Sequence, residues 1–446
     1  MRRTPRSKPA DGPAVVVIGG GFAGISALQA LRRTRARVTL IDRNVYSTFQ
    51  PLLYQVATAG LTSADVAYPL WTATGRRGAS FRKGEVASLD LDRRVVTLAE
   101  GEAMSYDYLI VATGVSAAFY GVQGAAEHSL SLYTRRDAIT LRNQLMEALE
   151  NRNEGLADPE LDITVVGGGA TGVELSGTLA ELRNMALPSV YPQIDRSMFR
   201  VRLIEMGPDL LAPYRDSLRH YTRGQLEDRG VEVKLSTAIK QVRPGSVVLA
   251  DGSEHRSDIT VWAAGVSGPD AAWSAGLPHG KGRRIQVGSD LRVTGQERVF
   301  AAGDVAIDQQ NPVAQLAQPA IQQGRHAGEQ IARLIAGQQP RPFHYHDKGT
   351  MATIGRRSAV VELRGGLRLR GTLAWFAWLG LHLIYLLGGR NRVVTLVNLS
   401  WRYLTWSRGG GVIVGDDVPQ PSQAQKAEQS RASAQQSGQM TSGKAS

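Results

Sequence analysis

One pattern, a strand, a glycine-rich turn and a helix, occurs twice in this chain and constrains the fold more than any other feature. The two copies are PAVVVIGGGFAGISALQALRR at 13–33 and LDITVVGGGATGVELSGTLAELR at 161–183. Each copy is followed by another apolar strand, at 36–44 and 199–211. A G-x-G-x-x-G turn between a strand and a helix is typical of a parallel, helix-covered sheet that binds a dinucleotide. The sequence therefore predicts an α/β protein with two Rossmann-like domains.

The first glycine turn contains Gly19, Gly21 and Gly24. In such a turn the first glycine permits the tight bend, the second lets the backbone approach a pyrophosphate, and the third allows close helix–strand packing. The helix N-terminus offers free N–H groups and a positive dipole end to the phosphates. Asp42 ends the next strand, eighteen residues after Gly24, where an acid accepts hydrogen bonds from a ribose. These features together indicate a dinucleotide site.

The second glycine turn contains Gly167, Gly169 and Gly172, and Glu205 ends the strand that follows. An acid at this place favours a free ribose 2′-hydroxyl and repels a 2′-phosphate, which predicts NADH rather than NADPH. Arg202 is discounted as a phosphate ligand, because strand alternation places it away from the strand tip.

The segment AQLAQPAIQQGRHAG, at 314–328, predicts a helix that begins at about Gln318. Pro319 would lie in the first turn, where its missing N–H is not needed. Gln318 and Gln322 are four residues apart and would lie on one helix face. Two neutral amides there are either an ordinary polar face or hydrogen-bonding groups for an uncharged ligand.

Residues 371–406 are apolar and aromatic but interrupted by charge. The stretch 373–387 has fifteen residues, whereas a spanning helix needs about twenty. Aromatic side chains suit the membrane–water interface and arginines suit anionic headgroups. These residues are Trp375, Trp378, Trp401, Tyr403 and Trp406, with Arg390, Arg392 and Arg402. We interpret the segment as two short helices lying in the interface, a monotopic anchor; the alternative is an element packed within a soluble dimer.

Composition excludes several classes of chemistry. The net charge of +12 attracts nucleic acid or anionic lipid, and lipid is favoured because no nucleic-acid motif occurs. The absence of cysteine excludes thiolate nucleophiles and Cys-ligated metals. His344 and His346 would share a face of a possible strand, where ordinary packing is favoured and no metal is expected. No apolar leader precedes the first strand, which predicts no signal peptide.

The motifs ATG at 112–114 and AAGD at 301–304 accompany the two glycine units. Together they resemble the two-dinucleotide-domain flavoproteins related to glutathione reductase. In that superfamily the first unit binds FAD, the second binds NAD(P)H, and the acid that corresponds to Asp304 contacts FAD. Many members use a redox-active cysteine pair, so disulfide reductases and sulfide:quinone reductases are excluded here.

Further motifs resemble the type II NADH dehydrogenases, which are single-chain, non-proton-pumping NADH:quinone oxidoreductases. The motifs are FQPLLYQVATAGL (49–61), VWAAGV (261–266), AQPAIQQG (317–324), DKGTMATIGRRSAV (347–360) and AWLGLHLIYLLGGRNR (377–392). The resemblance covers residues 14–415. It departs at Trp71, where the family tends to carry a basic residue, and this concerns local surface chemistry.

The resemblance implies that NADH passes a hydride to N5 of non-covalently bound FAD, which then passes two electrons to a membrane quinone, ubiquinone or menaquinone. The helix at Gln318 would point its N-terminus at the flavin, and Gln318 and Gln322 would hydrogen-bond the quinone. Glu174 would hold the nicotinamide or relay a proton; the alternative is an acid that only stabilises its helix N-terminus. The enzyme would lie on the cytoplasmic face of the cell membrane, and a homodimer is possible.

The site residues that the resemblance implies fall into three groups. The FAD-binding residues are Gly19, Gly21, Phe22, Ala23, Gly24, Asp42, Arg43, Gln50, Val86, Thr113, Gly114, Asp304, Ala317, Gln318 and Lys348. The NADH-binding residues are Gly167, Gly169, Thr171, Gly172, Glu174, Glu205, Ala264 and Gly265. The catalytic residues are Glu174, Gln318 and Gln322.

The predicted domain organisation is discontinuous. It comprises a disordered basic arm at 1–12, an FAD-binding domain at 13–150 and 285–345, an NADH-binding domain at 151–284, a membrane-associated region at 346–416 and a disordered tail at 417–446. Two other functions stay open: a soluble NAD(P)H-dependent reductase of a ferredoxin- or rubredoxin-like protein, and a non-catalytic NADH-sensing flavoprotein.

Overall fold

Two five-stranded parallel sheets carry the two glycine turns in the structure, a computed structural model that describes residues 11–405, with side chains as far as residue 401. In spatial order the first sheet is Val299–Ala301, Tyr108–Val111, Ala14–Ile18, Arg37–Asp42 and Ser80–Lys83. The second is Leu130–Ser131, Ile259–Trp262, Leu161–Val166, Phe199–Ile204 and Val231–Lys234. The predicted α/β fold with two dinucleotide-binding units is confirmed.

Each sheet takes one outer strand from a distant part of the chain. Val299–Ala301 follows the whole second sheet in sequence, yet it pairs with Tyr108–Val111 of the first. Leu130–Ser131 precedes the second glycine turn and pairs with Ile259–Trp262 of the second sheet. The predicted domain limits stay predictions, and this pairing favours a boundary before residue 130 rather than at 150.

Smaller elements surround the sheets. The α-helices are Phe22–Leu31, Leu53–Ala57, Leu70–Gly75, Ala125–His128, Arg135–Asn153, Ala170–Glu181, Leu187–Val190, Asp216–Asp228, Ala317–Ile335, Thr372–Tyr385 and Gly389–Thr405. The other strands are Tyr46–Thr48, Ala67–Pro69, Val86–Asp90, Val95–Leu98, Ala103–Ser105, Ser116–Ala117, Ile239–Arg243, Ser246–Leu249, Glu254–Arg256, Val266–Ser267, Ile285–Gln286, Ala306–Ile307, Thr350–Gly355, Ser358–Glu362 and Arg368–Arg370. The last three strands form an antiparallel sheet of their own after residue 345.

The helix Ala317–Ile335 packs directly on the first glycine helix, Phe22–Leu31. A Cβ atom built on Gly324 would lie 2.0 Å from the backbone oxygen of Ala23, so this close approach requires glycine. The start that the sequence predicts at about Gln318 is confirmed within one residue. As a result, the N-terminal turn with the two glutamines begins beside the first glycine turn.

The C-terminal segment forms the two helices that the sequence predicts, but two of its tryptophans lie inside the protein. Two helices are present, Thr372–Tyr385 and Gly389–Thr405. The interfacial position expected for Trp375 and Trp378 is wrong, because both are buried and Trp378 is only 1% exposed. Their spacing places them on the inward face of the helix. Trp406 and the side chains of Arg402 and Tyr403 lie outside the described residues.

The helix Gly389–Thr405 turns its polar side toward the protein. The side-chain amide of Asn391 donates to the backbone oxygen of Ala67 at 2.8 Å. The opposite side exposes Val393 (63%), Val397 (57%) and Trp401 (64%). A helix on a water-facing surface shows the reverse arrangement. In the part of the chain that the structure covers, no helix is both long and apolar enough to cross a bilayer.

Two further expectations change. The strand expected at His344 and His346 is wrong, because this segment is irregular and the N–H of His346 donates to the side chain of Gln322 at 3.0 Å. Within residues 11–405 we find no cluster of three or more acidic or histidine side chains that could hold a metal.

The oxygen of Gly12 accepts a hydrogen bond from Arg37, so the predicted disorder does not reach Gly12. Residues 1–10 and 417–446 lie outside the described residues.

Candidate active site

The two glycine turns repeat one another in their hydrogen bonds and backbone angles. Gly19 and Gly167 have φ angles of 102° and 110°, which only glycine adopts readily. The N–H of Gly19 donates to the backbone oxygen of Ile41 at 2.8 Å, and the N–H of Gly167 donates to that of Ile204 at 2.8 Å. Ile41 is the last residue but one of its strand, and Ile204 is the last residue of its strand. The duplication that the sequence predicts therefore extends to the atoms of the turns.

In each turn, one of the two remaining glycines packs closely against the backbone and the other borders open space. A Cβ atom on Gly24 would lie 1.9 Å from the oxygen of Gly19, and one on Gly172 would lie 1.8 Å from the oxygen of Gly167. A Cβ atom on Gly21 or Gly169 would meet nothing within 4 Å. The second glycine of each turn therefore borders open space, as a pyrophosphate cradle requires.

The acids at the strand tips hold the two glycine turns in place through hydrogen bonds to backbone N–H groups. The N–H of Gly20 donates to Asp42 at 2.6 Å, and the N–H of Gly168 donates to Glu205 at 2.5 Å. The second oxygen of each acid accepts the N–H two residues further on, at 2.7 and 2.6 Å. Burial raises the pKa of Asp42, and these two N–H groups counteract the rise. Sequence reasoning missed this structural role.

Several buried oxygen atoms near the first turn accept no hydrogen bond from the described protein. They belong to Gln50, Thr113 and Gln318, three of the implied FAD-binding residues. An unsatisfied buried acceptor is costly, so such atoms indicate a donor that belongs to a ligand. FAD offers donors of this kind in its ring N3–H and its ribityl hydroxyls. Together with the open space at Gly21, the residues present fit FAD.

Asp304 follows the strand Val299–Ala301 at the carboxyl edge of the first sheet. The hydroxyl of Tyr133 donates to its carboxylate at 3.3 Å, and Arg284 donates to its backbone oxygen at 2.9 Å. Burial raises the pKa of Asp304, while Arg284 and Tyr133 oppose this effect. The contact of Asp304 with FAD stays a prediction.

Glu174 is the most perturbed carboxyl group near the two turns. It is buried, and burial raises its pKa to about 8, although the N–H of Thr353 at 3.3 Å and the indole of Trp378 lower it in part. No cation among the described residues contributes to this shift. Gly177 on the same helix makes this environment possible, because a Cβ atom there would lie 2.0 Å from the oxygen of Ile354. Glu174 is therefore mostly protonated at pH 7.

The two glutamines of the helix Ala317–Ile335 have different surroundings. Gln322 exchanges two hydrogen bonds of 3.0 Å with the backbone of His346 and so fastens the segment 338–349 to the helix. Gln318 has a buried side-chain oxygen without a partner in the described chain. Lys348, expected to bind FAD, donates to the hydroxyl of Tyr385 at 3.3 Å.

A row of rings connects the first glycine helix with the C-terminal helix and with Glu174. Phe22 and Phe49 are 5.7 Å apart, Phe49 and His382 are 6.1 Å apart, and His382 stacks on Trp378 at 4.1 Å. The Nδ1 of His382 donates to the oxygen of Trp378 at 2.7 Å, and burial lowers the pKa of His382 to about 4. Sequence reasoning missed Phe49 and His382, and a lone histidine in an apolar helix was the available signal.

The other implied residues lie mainly at the carboxyl edges of the sheets. Phe22 and Ala23 begin the first glycine helix, Thr171 lies exposed in the second, and Ala317 begins the long helix. Residues Arg43, Thr113, Gly114, Ala264 and Gly265 follow sheet strands. Val86 instead begins a separate three-stranded sheet.

This arrangement defines a class of protein, the two-site dinucleotide oxidoreductases, and residues 13–324 match the pyridine nucleotide-disulphide oxidoreductase family. The chain is 35% identical to the type II NADH:quinone oxidoreductase Ndh of Mycobacterium tuberculosis, over 92% of each chain. It is 30% identical to the type II NADH:quinone oxidoreductase of Haemophilus influenzae, over 82% of this chain and 92% of that protein. The chain therefore belongs to the type II NADH:quinone oxidoreductase family, and the resemblance drawn from its motifs is confirmed.

A solved structure supports the fold. NDH2 from Plasmodium falciparum, determined in complex with NADH, superposes with a TM-score of 0.83 at 18% identity, covering 90% of this chain and 100% of that chain. At this identity the likeness concerns the fold alone.

Proposed function

We propose that this protein is a non-proton-pumping, FAD-dependent NADH:quinone oxidoreductase. The observation that carries the proposal is the start of the Gln318 helix beside the first of two equivalent glycine turns, where buried oxygens of Gln50, Thr113 and Gln318 have no partner in the described chain. The names of the relatives, which specify NADH and quinone, support the same activity. When bound, FAD accepts a hydride from NADH and passes two electrons to the quinone.

Different parts of the chain would bind FAD and the quinone. The turn at Gly21 would hold the FAD pyrophosphate, and the oxygens of Gln50 and Thr113 would accept hydrogen bonds from FAD. The N-terminus of the helix Ala317–Ile335 would stabilise negative charge on the flavin ring. The amide of Gln318 would hydrogen-bond a quinone carbonyl, and a neutral group costs less desolvation beside an uncharged quinone than a charged one.

Glu174 would serve as the proton relay. Reduction of a quinone to a quinol by NADH consumes one proton from solution in addition to the hydride, and both quinone oxygens end protonated. A carboxyl group with a pKa of about 8 carries a proton at pH 7 and can also lose it. We therefore assign Glu174 to this transfer, with water supplying the connection to the solvent.

The second turn would bind NADH in preference to NADPH. Glu205 places a carboxylate at the tip of the strand, where it would repel a 2′-phosphate. Arg202 is held by Glu232 at 2.7 Å, so it is engaged away from that position. The contacts of Glu205 with NADH stay a prediction.

Stopped-flow absorbance of the FAD-loaded protein tests the quinone site. Gln318→Leu is expected to slow flavin reoxidation by menadione roughly 5- to 100-fold, the effect of losing one hydrogen bond to a substrate, and to slow flavin reduction by NADH much less. Gln338→Leu, an exposed glutamine beyond the helix, is the control. If the flavin of the unchanged protein is reduced rapidly by NADH but reoxidised slowly by menadione, the proposal is overturned, and a protein electron acceptor or a sensing role is favoured.

We also propose that the C-terminal helices lie on a lipid bilayer, which dissolves the quinone. The apolar outer side of Gly389–Thr405 supports this, since its polar side already binds the protein. The cytoplasmic face and the homodimer stay predictions.

Sedimentation with phospholipid vesicles tests the membrane surface. Val397→Glu is expected to weaken vesicle binding about tenfold or more, because it removes the burial of one valine and adds a charge. Leu156→Glu makes the same kind of change at an exposed apolar residue of another element and is expected to have no effect. Equal binding by both variants would contradict the assignment of this surface.

A further inference from the structure

A cavity of about 360 Å³ lies at the opposite end of the first glycine helix from the glycine turn. Its lining includes four arginines, Arg32, Arg76, Arg77 and Arg392, beside Tyr68. The turn between the two C-terminal helices closes one side of it. The cavity is therefore separate from the proposed FAD, NADH and quinone sites.

The four arginines carry a concentrated positive charge. No carboxylate lines the cavity within the described part of the chain. Burial lowers the pKa of Arg77; Tyr68 opposes this effect, and the neighbouring charges of Arg76 and Arg32 add to it. Like charges are costly to hold together unless an anion compensates them. The charge pattern thus indicates an anionic ligand.

Part of the hydrogen-bonding capacity of the arginines is already used to orient them. Arg77 donates to the oxygen of Ala73 at 2.8 Å, and Arg392 donates to the oxygen of Leu386 at 2.8 Å. The Nε of Arg77 is buried and has no partner among residues 11–405. A guanidinium fixed by a backbone oxygen with N–H groups to spare suits a phosphate.

The neighbourhood of the cavity identifies the source of the phosphate. Arg392 lies in the first turn of the helix Gly389–Thr405, and Val393 and Val397 on that helix are exposed. A phospholipid offers both a phosphate for the arginines and acyl chains for the valines, whereas free phosphate offers only the first. The exposed valines on the helix that carries Arg392 therefore favour a phospholipid over free phosphate.

We propose that Arg32, Arg76, Arg77 and Arg392 bind the phosphate of an anionic phospholipid headgroup, whose acyl chains lie along Val393 and Val397. This site rests on the proposed association with a bilayer and adds a defined headgroup contact to it. Such a contact fixes how the protein is rotated on the membrane surface.

The test compares two variants of equal net charge by sedimentation with phosphatidylcholine vesicles that contain either phosphatidylglycerol or oleate at the same charge density. The variant Arg32→Gln with Arg76→Gln is expected to bind phosphatidylglycerol vesicles roughly 25-fold more weakly, at about fivefold per arginine. The control, Arg33→Gln with Arg35→Gln, removes two exposed arginines outside the cavity and is expected to lose less than about threefold, since only diffuse charge is removed. Far-UV circular dichroism checks that both variants fold.

The outcomes separate the sources of binding. If Arg32→Gln with Arg76→Gln weakens binding to phosphatidylglycerol vesicles but hardly changes binding to oleate vesicles, the headgroup site is supported. An equal loss of vesicle binding in both double variants would show that only diffuse electrostatic attraction acts, and would overturn the headgroup site. Equal binding of the unchanged protein to phosphatidylglycerol and oleate vesicles would overturn the phosphate contact, because oleate carries no phosphate. Failure of the unchanged protein to bind any vesicle would overturn the proposed membrane surface itself, whereas quinone reduction would remain to be judged by stopped flow.

Discussion

Replacing Gly324 with alanine is expected to lower the free energy of unfolding by about 3 kcal/mol, the upper part of the usual range for overpacking. The added Cβ atom would lie 2.0 Å from the backbone oxygen of Ala23, and neither helix can absorb this by rotating a side chain. The first glycine helix and the helix Ala317–Ile335 must move apart. Since the glycine turn begins one of these helices, the bound flavin is expected to be lost as well. Urea unfolding and the ratio of flavin to protein absorbance measure the two effects.

Gly224 provides the matched control. It lies within the helix Asp216–Asp228, and a Cβ atom there would meet nothing within 4 Å. Gly224→Ala is therefore expected to stabilise the protein by about 0.5–1 kcal/mol, since alanine is the better helix former. If Gly324→Ala behaved like Gly224→Ala and kept its flavin, the close packing of the two helices would be refuted.

Replacing Glu174 with glutamine is expected to stabilise the protein above pH 8 by roughly 3–5 kcal/mol. Burial raises the pKa of Glu174 from 4.5 to about 8, so between these values the folded protein binds one proton more than the unfolded chain. Stability from this group is present below pH 4.5 and is lost as the pH rises toward 8. The variant lacks this loss, and at pH 4.5 the two proteins are expected to be almost equally stable.

The same substitution tests the proton relay. The rate of flavin reoxidation by quinone is expected to depend on a group with a pKa of about 8 in the unchanged protein and to lose this dependence in Glu174→Gln. Glu147→Gln, at an exposed position of the helix Arg135–Asn153, serves as the control for both measurements. Unchanged reoxidation over the full pH range would remove Glu174 from the proton path while leaving the stability result intact.

The glycine turns were predictable from sequence because all of their constraints are local. The bend, the helix start and the acid at the next strand tip follow one another along the chain, from Gly19 to Asp42 and from Gly167 to Glu205, and each requires a particular residue type. The same reasoning placed the start of the long helix to within one residue, because Pro319 restricts where a helix can begin.

The surroundings of the site depend on distant contacts that no local pattern records. In the stretch 373–387 both faces are apolar, so the sequence could not tell that Trp378 points inward, where it helps to lower the pKa of Glu174. Gln322 forms its hydrogen bonds with a backbone 24 residues away, which its side chain alone does not indicate. The arginine cavity likewise collects residues from three separate segments.

The late strand Val299–Ala301 ties the first sheet to a part of the chain that follows the whole second sheet. A chain that stopped before residue 299 would leave Tyr108–Val111 as an open edge of the first sheet, and a chain that began after residue 131 would leave Ile259–Trp262 open in the second. Open edges of parallel sheets invite pairing with other chains. Although the two halves carry the same turn, the first sheet is therefore complete only after the chain has passed through the whole second sheet.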